Sequence, residues 1–236
     1  MSKHRLFRFK NFSVDHSRSA MKVGTDGVLL GAWADTTDAR SILDIGTGSG
    51  VIALMLAQRT KDDAEIDAVE IEAEDAAQAI ENVSTSPWPG KIIVHLSSIQ
   101  SFATSKKYDL IVSNPPFFTN SFHPPDPRRI QVRHTTSLSY KDLLDAVQRL
   151  LHETGKFTII LPAAEGKTFV DLACVTQLHV SRKTLFRGRA SKPPERWLLE
   201  FTRKSSSLDE NELVMYDGEE WSAPYRRLTK DFYLKA

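Results

Sequence analysis

From residue 41 onward, short apolar runs alternate with longer segments in which apolar residues recur at helical spacing. Apolar runs of this length, bounded by glycine, proline and small polar residues, predict buried strands. Five such strands are predicted, over residues 41–45, 64–71, 91–96, 108–113 and 156–161. The segments between them predict helices over 51–57, 72–83, 139–151 and 165–177. Strands that alternate with helices are typical of an α/β fold with a parallel sheet.

The second half of the chain is less regular. Residues 178–187 and 195–203 predict two more strands, joined by a basic loop that contains glycine and proline. Residues 118–137 have three prolines and no periodicity, which predicts a long loop, and such loops are usually functional or disordered. Ser139, followed three residues later by Asp142, resembles a capping box at a helix start. The last 30 or so residues give no firm signal.

The composition fits one soluble globular domain. With 236 residues, 41% hydrophobic and 26% charged, the chain is long enough for a sizeable core. No apolar run approaches the roughly 18 residues of a membrane helix, and no signal-peptide stretch follows the basic N-terminus, so we expect a cytoplasmic protein. The single cysteine, Cys174, excludes an internal disulfide and a cysteine-based zinc site, and its apolar surroundings predict burial. We expect no metal site.

The net charge of +1 is uninformative, but the charges are unevenly distributed. Residues 1–22 hold six Lys or Arg against one acid, and residues 181–204 hold eight against two. Between them, residues 59–81 hold nine acids against two basic residues. This pattern is compatible with a phosphate-binding rim beside a separate small-molecule pocket. On charge alone, a set of solvated faces explains it better.

A glycine-rich turn, Asp44-Ile45-Gly46-Thr47-Gly48-Ser49-Gly50, follows the first of these strands and opens a helix. Glycines let the backbone approach a ligand closely, and the helix N-terminus offers free N–H groups. The third glycine of a dinucleotide fingerprint is replaced by Val51, and the carboxylate of Asp44 would repel a pyrophosphate. A cationic ligand such as S-adenosylmethionine fits better than a nicotinamide cofactor. Glu70, at the end of the next strand, is favoured over Glu72 as the ligand of its ribose.

The tetrapeptide Asn114-Pro115-Pro116-Phe117 follows the fourth strand, at the edge of the sheet where ligands of open α/β folds bind. The amide oxygen of Asn114 and the carbonyl of Pro115 can each accept one N–H of an exocyclic amine. Both would then aim its lone pair at a methyl donor, a matter of positioning and electrostatics. The prolines stiffen the turn, and Phe117 can stack on an extruded base. This motif predicts methylation of an amino group.

These residues together resemble the class I Rossmann-like methyltransferases, in the branch that methylates amino groups. The stretch AMKVGTDGVLLGAW at 20–33 and Asp231-Phe232-Tyr233-Leu234 further resemble the bacterial tRNA1(Val) adenine-N6 methyltransferases. The resemblance implies a seven-stranded, mostly parallel sheet with its last strand antiparallel and helices on both faces. It implies S-adenosylmethionine as cofactor and tRNA as substrate, methylated at the adenine 3′ of the anticodon. We expect one domain, with residues 1–35 as a cap over the cofactor pocket and 36–236 as the catalytic core.

Carried over by position, the resemblance assigns both sites. The catalytic residues are Asn114, Pro115, Pro116 and Phe117. The cofactor residues are Gly24, Thr25, Asp26, Asp44, Gly46, Gly48, Gly50, Glu70, Ser98, Ile99 and Asn114. Many members of the family have an acid where this chain has Ser98, whose hydroxyl is a weaker acceptor for the adenine amino group. Phe117 replaces the tyrosine of adenine-specific members, which keeps guanine N2 open as the target.

Two basic groups are candidates for contact with RNA phosphates, binding that salt would weaken steeply. They are Arg128, Arg129 and Arg133 in the long loop, and Lys183, Arg187, Arg189 and Lys192 in the strand pair. His134 lies beside the first group, but the chemistry needs no general base. The alternatives are guanine-N2 methylation of rRNA, glutamine-N5 methylation of a protein, and a non-catalytic RNA-binding module. An NAD-dependent oxidoreductase is more distant. The sequence does not set the oligomeric state, for which we expect a monomer.

Overall fold

The computed structural model describes residues 6–19, 21–116 and 138–234. Its strands are β1 (Leu6–Arg8), β2 (Ser13–Asp15), β3 (Ser41–Ile45), β4 (Glu65–Glu70), β5 (Ile92–Leu96), β6 (Tyr108–Ser113), β7 (Leu151–Pro162), β8 (His179–Arg189), β9 (Arg196–Thr202), β10 (Asp209–Asp217) and β11 (Glu220–Trp221). Its helices are α1 (Thr25–Trp33), α2 (Val51–Arg59), α3 (Ala73–Ser84), α4 (Tyr140–Leu150), α5 (Ala163–Val175) and α6 (Ala223–Thr229).

The main sheet has the strand order β11-β10-β8-β9-β7-β6-β3-β4-β5. Strands β3 to β7 are parallel to one another, and β9 runs antiparallel to both β7 and β8. The predicted α/β fold with a mostly parallel sheet and an antiparallel β9 is therefore confirmed, but among the described residues the sheet has nine strands rather than the expected seven. Strand β10 extends it by pairing in parallel with β8, and β11 pairs antiparallel with β10. Both lie in the C-terminal segment for which the sequence gave no firm prediction.

Apolar side chains cover both faces of this sheet. One buried cluster includes Leu29 of α1 and Leu54 of α2, and the other joins Leu143 of α4 and Phe169 of α5 to the opposite face. The predicted helices are present, each within about two residues of its expected ends. Burial of these faces is the main driving force for folding.

The turn from α4 into β7 differs from the prediction. Ser139 caps α4 as expected, since its hydroxyl accepts the amide N–H of Asp142 at 3.1 Å. The strand then begins at Leu151 rather than at Lys156. Its pairing with β6 is irregular between these two residues, where Gly155 passes so close that a Cβ would lie 2.7 Å from the carbonyl oxygen of Tyr108.

Cys174 is exposed, so its predicted burial was wrong. Helix α5 buries only Gly166, Phe169 and Ala173, and Cys174 follows the last of these on the solvent side. Within the described ranges, no helix is both long and apolar enough to cross a membrane.

Candidate active site

The glycine loop and the Asn-Pro-Pro segment meet at one edge of the sheet. Ile45 pairs with Ser113 across β3 and β6, so the residues that follow each strand leave neighbouring positions, about 4.8 Å apart. The buried hydroxyl of Ser113 donates to the carbonyl oxygen of Ile45 at 3.0 Å and fixes the two strand ends together. The structure therefore brings together the two motifs that the sequence assigned to cofactor and acceptor.

The glycine loop has backbone angles that residues other than glycine rarely adopt. Gly46, Gly48 and Gly50 have φ angles of 73°, 55° and 82°. The amides of Gly46 and Thr47 donate to the carbonyl oxygen of Val69, at 2.9 and 3.1 Å. The loop is thus anchored to β4 from below, and a Cβ on Gly46 or Gly48 would enter open space.

Asp44 lies fully buried under this loop. Its Oδ2 accepts the hydroxyl of Thr47 at 2.6 Å, whereas its Oδ1 has no hydrogen-bond partner among the described residues. Burial raises the pKa of Asp44 to about 7. An unsatisfied carboxylate oxygen in a buried position is costly, which favours a site that receives a donor from outside the protein.

Glu70, rather than Glu72, faces the glycine loop. Its Oε2 accepts the amide of Gly48 at 2.8 Å, and its Oε1 accepts the amides of Ile71 and Glu72 at 2.8 and 2.9 Å. Glu72 is exposed and stands at the N-cap of α3. A carboxylate offers about four acceptor positions, so Glu70 retains room for a hydroxyl group of a ligand. Burial raises the pKa of Glu70 as well.

The segment after β5 runs beside Glu70. The amide of Ser97 donates to the carbonyl oxygen of Glu70 at 2.8 Å, which places Ser98 and Ile99 at the same sheet edge. Ile99 is buried, and the hydroxyl of Ser98 accepts the amide of Ser101 at 3.2 Å. Ser98 and Ile99 are the residues that the resemblance assigned to the adenine of the cofactor, and that role stays a prediction.

Asn114 carries a second unsatisfied oxygen. Its Oδ1 is buried and has no hydrogen-bond partner in the part of the chain that is described. Pro115 is buried and Pro116 is exposed. An amide oxygen in this state, next to the glycine loop, is suited to accept an N–H of a ligand. Five of the predicted residues lie outside the described ranges, namely Phe117, Arg128, Arg129, Arg133 and His134.

The N-terminus of α1 lies beside that of α2. Gly27 packs so closely that a Cβ there would be 3.4 Å from Val51, which brings Gly24, Thr25 and Asp26 near the glycine loop. The carboxylate of Asp26 accepts Nε of Arg196 at 2.9 Å. The sequence assigned Asp26 to the cofactor, and the structure shows in addition that it joins α1 to the start of β9.

The basic residues of β8 are paired with acids. Lys183 contacts Glu210 at 3.1 Å, Arg187 contacts Glu212 at 2.6 Å, and Arg189 contacts Glu219 at 3.6 Å. The ammonium of Lys183 also lies 4.0 Å from the ring centre of Trp197. Lys192 is exposed in the turn between β8 and β9. These acids offset the positive charge of the predicted phosphate patch. The pairing was not predicted from the sequence because β10 was not predicted.

Two polar residues of the site were not predicted. Thr47 orients Asp44, and Asn82 of α3 donates to the carbonyl oxygen of Ser49 at 2.9 Å. Asn82 belongs to a buried polar row on α3 with Asp75 and Gln78. The spacing of this row, three and four residues apart, is a sequence signal that would have found it.

The fold and this pair of strand-end motifs are those of the Rossmann-like methyltransferases. Residues 9–168 match the model of the methyltransferase small domain family. The fold is similar to that of a ribosomal protein L11 methylase from Lactobacillus delbrueckii subsp. bulgaricus, with a TM-score of 0.58 and 18% identity over 81% of this chain and 84% of that one. It is also similar to a glycopeptide N-methyltransferase solved with S-adenosylmethionine, with a TM-score of 0.57 and 13% identity over 78% of this chain and all of that one.

Three relatives narrow the assignment, and each is named a tRNA1(Val) (adenine(37)-N6)-methyltransferase. The protein from Aeromonas hydrophila is 45% identical over the full length of both chains. That from Bacteroides fragilis is 44% identical over 98% of each, and that from Escherichia coli O157:H7 is 44% identical over 97% of this chain and 94% of the relative. The chain belongs to this methyltransferase family. The predicted enzyme class and its cofactor, S-adenosylmethionine, are thereby confirmed.

Proposed function

We propose that this chain transfers a methyl group from S-adenosylmethionine to N6 of adenine 37 in tRNA1(Val). One observation carries the proposal: the buried, unsatisfied Oδ1 of Asn114 lies at the strand end next to the glycine loop. The names of the relatives at 44–45% identity support the choice of adenine and tRNA over guanine, rRNA or a protein glutamine.

The residues around the glycine loop fit the cofactor. S-adenosylmethionine supplies an activated methyl group on a sulfonium, and it also carries an ammonium, a ribose and an adenine. The free Oδ1 of Asp44 would accept the ammonium, and Glu70 would accept the ribose hydroxyls. Ser98 and Ile99 would contact the adenine. The starts of α1 and α2 would enclose the methionine part, with Gly24, Thr25 and Asp26 on the side of α1.

Asn114 and Pro115 would hold the target amine. An exocyclic amine of a base is a poor nucleophile because its lone pair is delocalised into the ring. Two acceptors, Oδ1 of Asn114 and the carbonyl of Pro115, would bind its two N–H groups and direct the lone pair towards the methyl group. The new N–C bond would form as the sulfonium C–S bond of the cofactor breaks, and the amine would then release one proton to solvent, so no low-pKa base is required. Phe117 would stack on the extruded base.

Basic residues outside the active site would bind the phosphates of the tRNA. We assign phosphate contacts to Arg128, Arg129, Arg133 and Lys192. Lys183, Arg187 and Arg189 would also contact phosphates, which would replace the carboxylates that these residues now pair with. Residues 1–35 would cap the cofactor. A monomeric, cytoplasmic enzyme would agree with a tRNA substrate.

The test is methyl transfer from labelled S-adenosylmethionine to bulk unmodified tRNA, followed by nucleoside mass spectrometry. We expect N6-methyladenosine in tRNA1(Val), abolished by Asn114→Ala although this variant still binds the cofactor. Lys167→Ala, an exposed position on α5, is the matched control. Label in N2-methylguanosine of rRNA or in a protein would refute the substrate. Cofactor binding with no labelled product would favour the non-catalytic RNA-binding module.

A further inference from the structure

The segment Asp15–Ser19, here called the strap, lies along α3 on its way to α1. The hydroxyl of Ser17 and the amide of Arg18 donate to Oε1 of Gln78, each at 3.4 Å. The guanidinium of Arg18 also pairs with Glu81 at 2.5 Å, and the hydroxyl of Ser19 donates to Asp75. Every one of these partners is a side chain of α3, so the strap is held by polar contacts rather than by a buried apolar face.

The side chain of Asn82, on α3, bonds both the strap and the glycine loop. Its Oδ1 accepts the amide of Asp15 at 2.8 Å, and its Nδ2 donates to the carbonyl oxygen of Asp15 at 2.8 Å. The same Nδ2 donates its other hydrogen to the carbonyl oxygen of Ser49 at 2.9 Å. With a relative exposure of 4%, this amide is buried, and both of its donor hydrogens and its acceptor are satisfied.

The glycine loop rests on α3 next to this contact. A Cβ on Gly50 would lie 3.4 Å from the Cβ of Ala79, so loop and helix are in close contact. Near the start of the strap, Nδ1 of His16 accepts the amide of Val23 at 3.4 Å, which holds the residues just before α1 next to the strap. The strap therefore connects Asn82 to the start of α1, on the other side of the same loop.

We propose that Asn82 is a positioning residue that couples the cofactor loop to the strap, so that binding of S-adenosylmethionine holds the strap against α3. This inference rests on the proposed placement of the cofactor at the glycine loop. Cofactor contacts with the loop fix the carbonyl of Ser49, and Asn82 then presents a fixed amide to Asp15. Because coupling between two sites is reciprocal, a closed strap raises the affinity for the cofactor by the same factor.

Tryptic cleavage after Arg18 and Lys22 measures how often the strap opens, since a protease cuts the open form. In the wild type, we expect saturating S-adenosylmethionine to slow this cleavage by about tenfold, a typical coupling between sites. In Asn82→Ala, cleavage is expected to be equally fast with and without the cofactor. The Kd of Asn82→Ala for S-adenosylmethionine, measured by calorimetry, should be higher than that of the wild type by about the factor by which the cofactor slows cleavage of the wild type.

The matched control is Gln78→Ala, which loosens the strap but does not contact the glycine loop. This variant should be cut faster overall and still be protected by the cofactor to the wild-type degree. Thermal unfolding of both variants checks that they fold, and hydrogen exchange of residues 15–19 replaces proteolysis if Asn82→Ala is unstable. Wild-type protection in Asn82→Ala, or none in the wild type, would overturn the coupling. Unchanged cofactor affinity in Asp44→Asn would instead contradict the proposed cofactor site.

Discussion

Thr47 donates its hydroxyl to one carboxylate oxygen of Asp44 and leaves the other oxygen buried without a partner in the described structure. This hydrogen bond fixes the rotation of the carboxylate, so the unsatisfied oxygen is held in one orientation. Asp44 lies near the end of β3, and Thr47 lies in the turn that follows it, whose glycines set its backbone. A cation that enters this turn therefore meets an acceptor that is already oriented.

Replacement of Asp44 by Asn should weaken cofactor binding. A hydrogen bond to a charged group contributes roughly 1.5–3 kcal/mol, which corresponds to about a 10- to 150-fold rise in the Kd of S-adenosylmethionine. Calorimetric titration measures it, and Thr47→Ser, which keeps the hydroxyl, should stay near the wild type. An Asp44→Asn variant with wild-type affinity would show that Asp44 does not contact the cofactor.

Cofactor affinity should depend on pH through Asp44. Burial raises its pKa to about 7, and the cationic ligand requires the ionised form, so affinity should rise as the pH increases through about 7. Thr47 lowers this pKa and the charge of Glu70 raises it, so Thr47→Val should move the midpoint to higher pH. Titrations at pH 6, 7 and 8 test this, with Asp44→Asn as the control. The part of the pH dependence that is due to Asp44 should be absent in that variant.

The same pKa has the opposite consequence for the stability of the ligand-free protein. The folded state keeps a proton on Asp44 that the unfolded chain releases near its ordinary pKa of 3.8. The stability from this group is fully present below about pH 4 and is lost as pH rises through about 7. Urea denaturation at pH 5 and 8 should show a larger gain at low pH for the wild type than for Asp44→Asn. Equal changes in both would contradict the raised pKa.

The parts of the fold and the site that could be predicted from the sequence are those determined by short stretches of neighbouring residues. Asp44, Glu70 and Asn114 each lie within one residue of the end of a strand, so their common position at the carboxyl edge follows from a parallel sheet. Strand β10 begins Asp-Glu-Asn-Glu and has no apolar alternation there, because its acids face the basic residues of β8. Contacts between distant segments, such as Asp26 with Arg196, leave no periodic signal and could not be predicted.

Gly166 should tolerate no side chain. A Cβ at this position would lie 2.3 Å from the ring of Trp197, far inside van der Waals contact. Alanine favours a helix over glycine by about 1 kcal/mol, but overpacking costs about 1–3 kcal/mol, so Gly166→Ala should lower the free energy of unfolding. Combining it with Trp197→Leu should recover part of the loss. If the single variant proves more stable than the wild type in urea denaturation, the close packing of α5 on β9 is refuted.

Lys192 and Arg187 should differ in their effect on tRNA binding. Lys192 is exposed in the turn at the tip of β8, whereas the side chain of Arg187 is 18% exposed and already pairs with Glu212. A phosphate contact from Lys192 releases a counterion, so Lys192→Ala should reduce the slope of log Kd against log salt by about one. Arg187→Ala should change this slope less, because its charge is offset before tRNA arrives. Filter binding of unmodified tRNA between 50 and 200 mM salt measures both variants, with cofactor affinity as the control. If the slope of Lys192→Ala equals that of the wild type, the tip of this hairpin does not contact the phosphates.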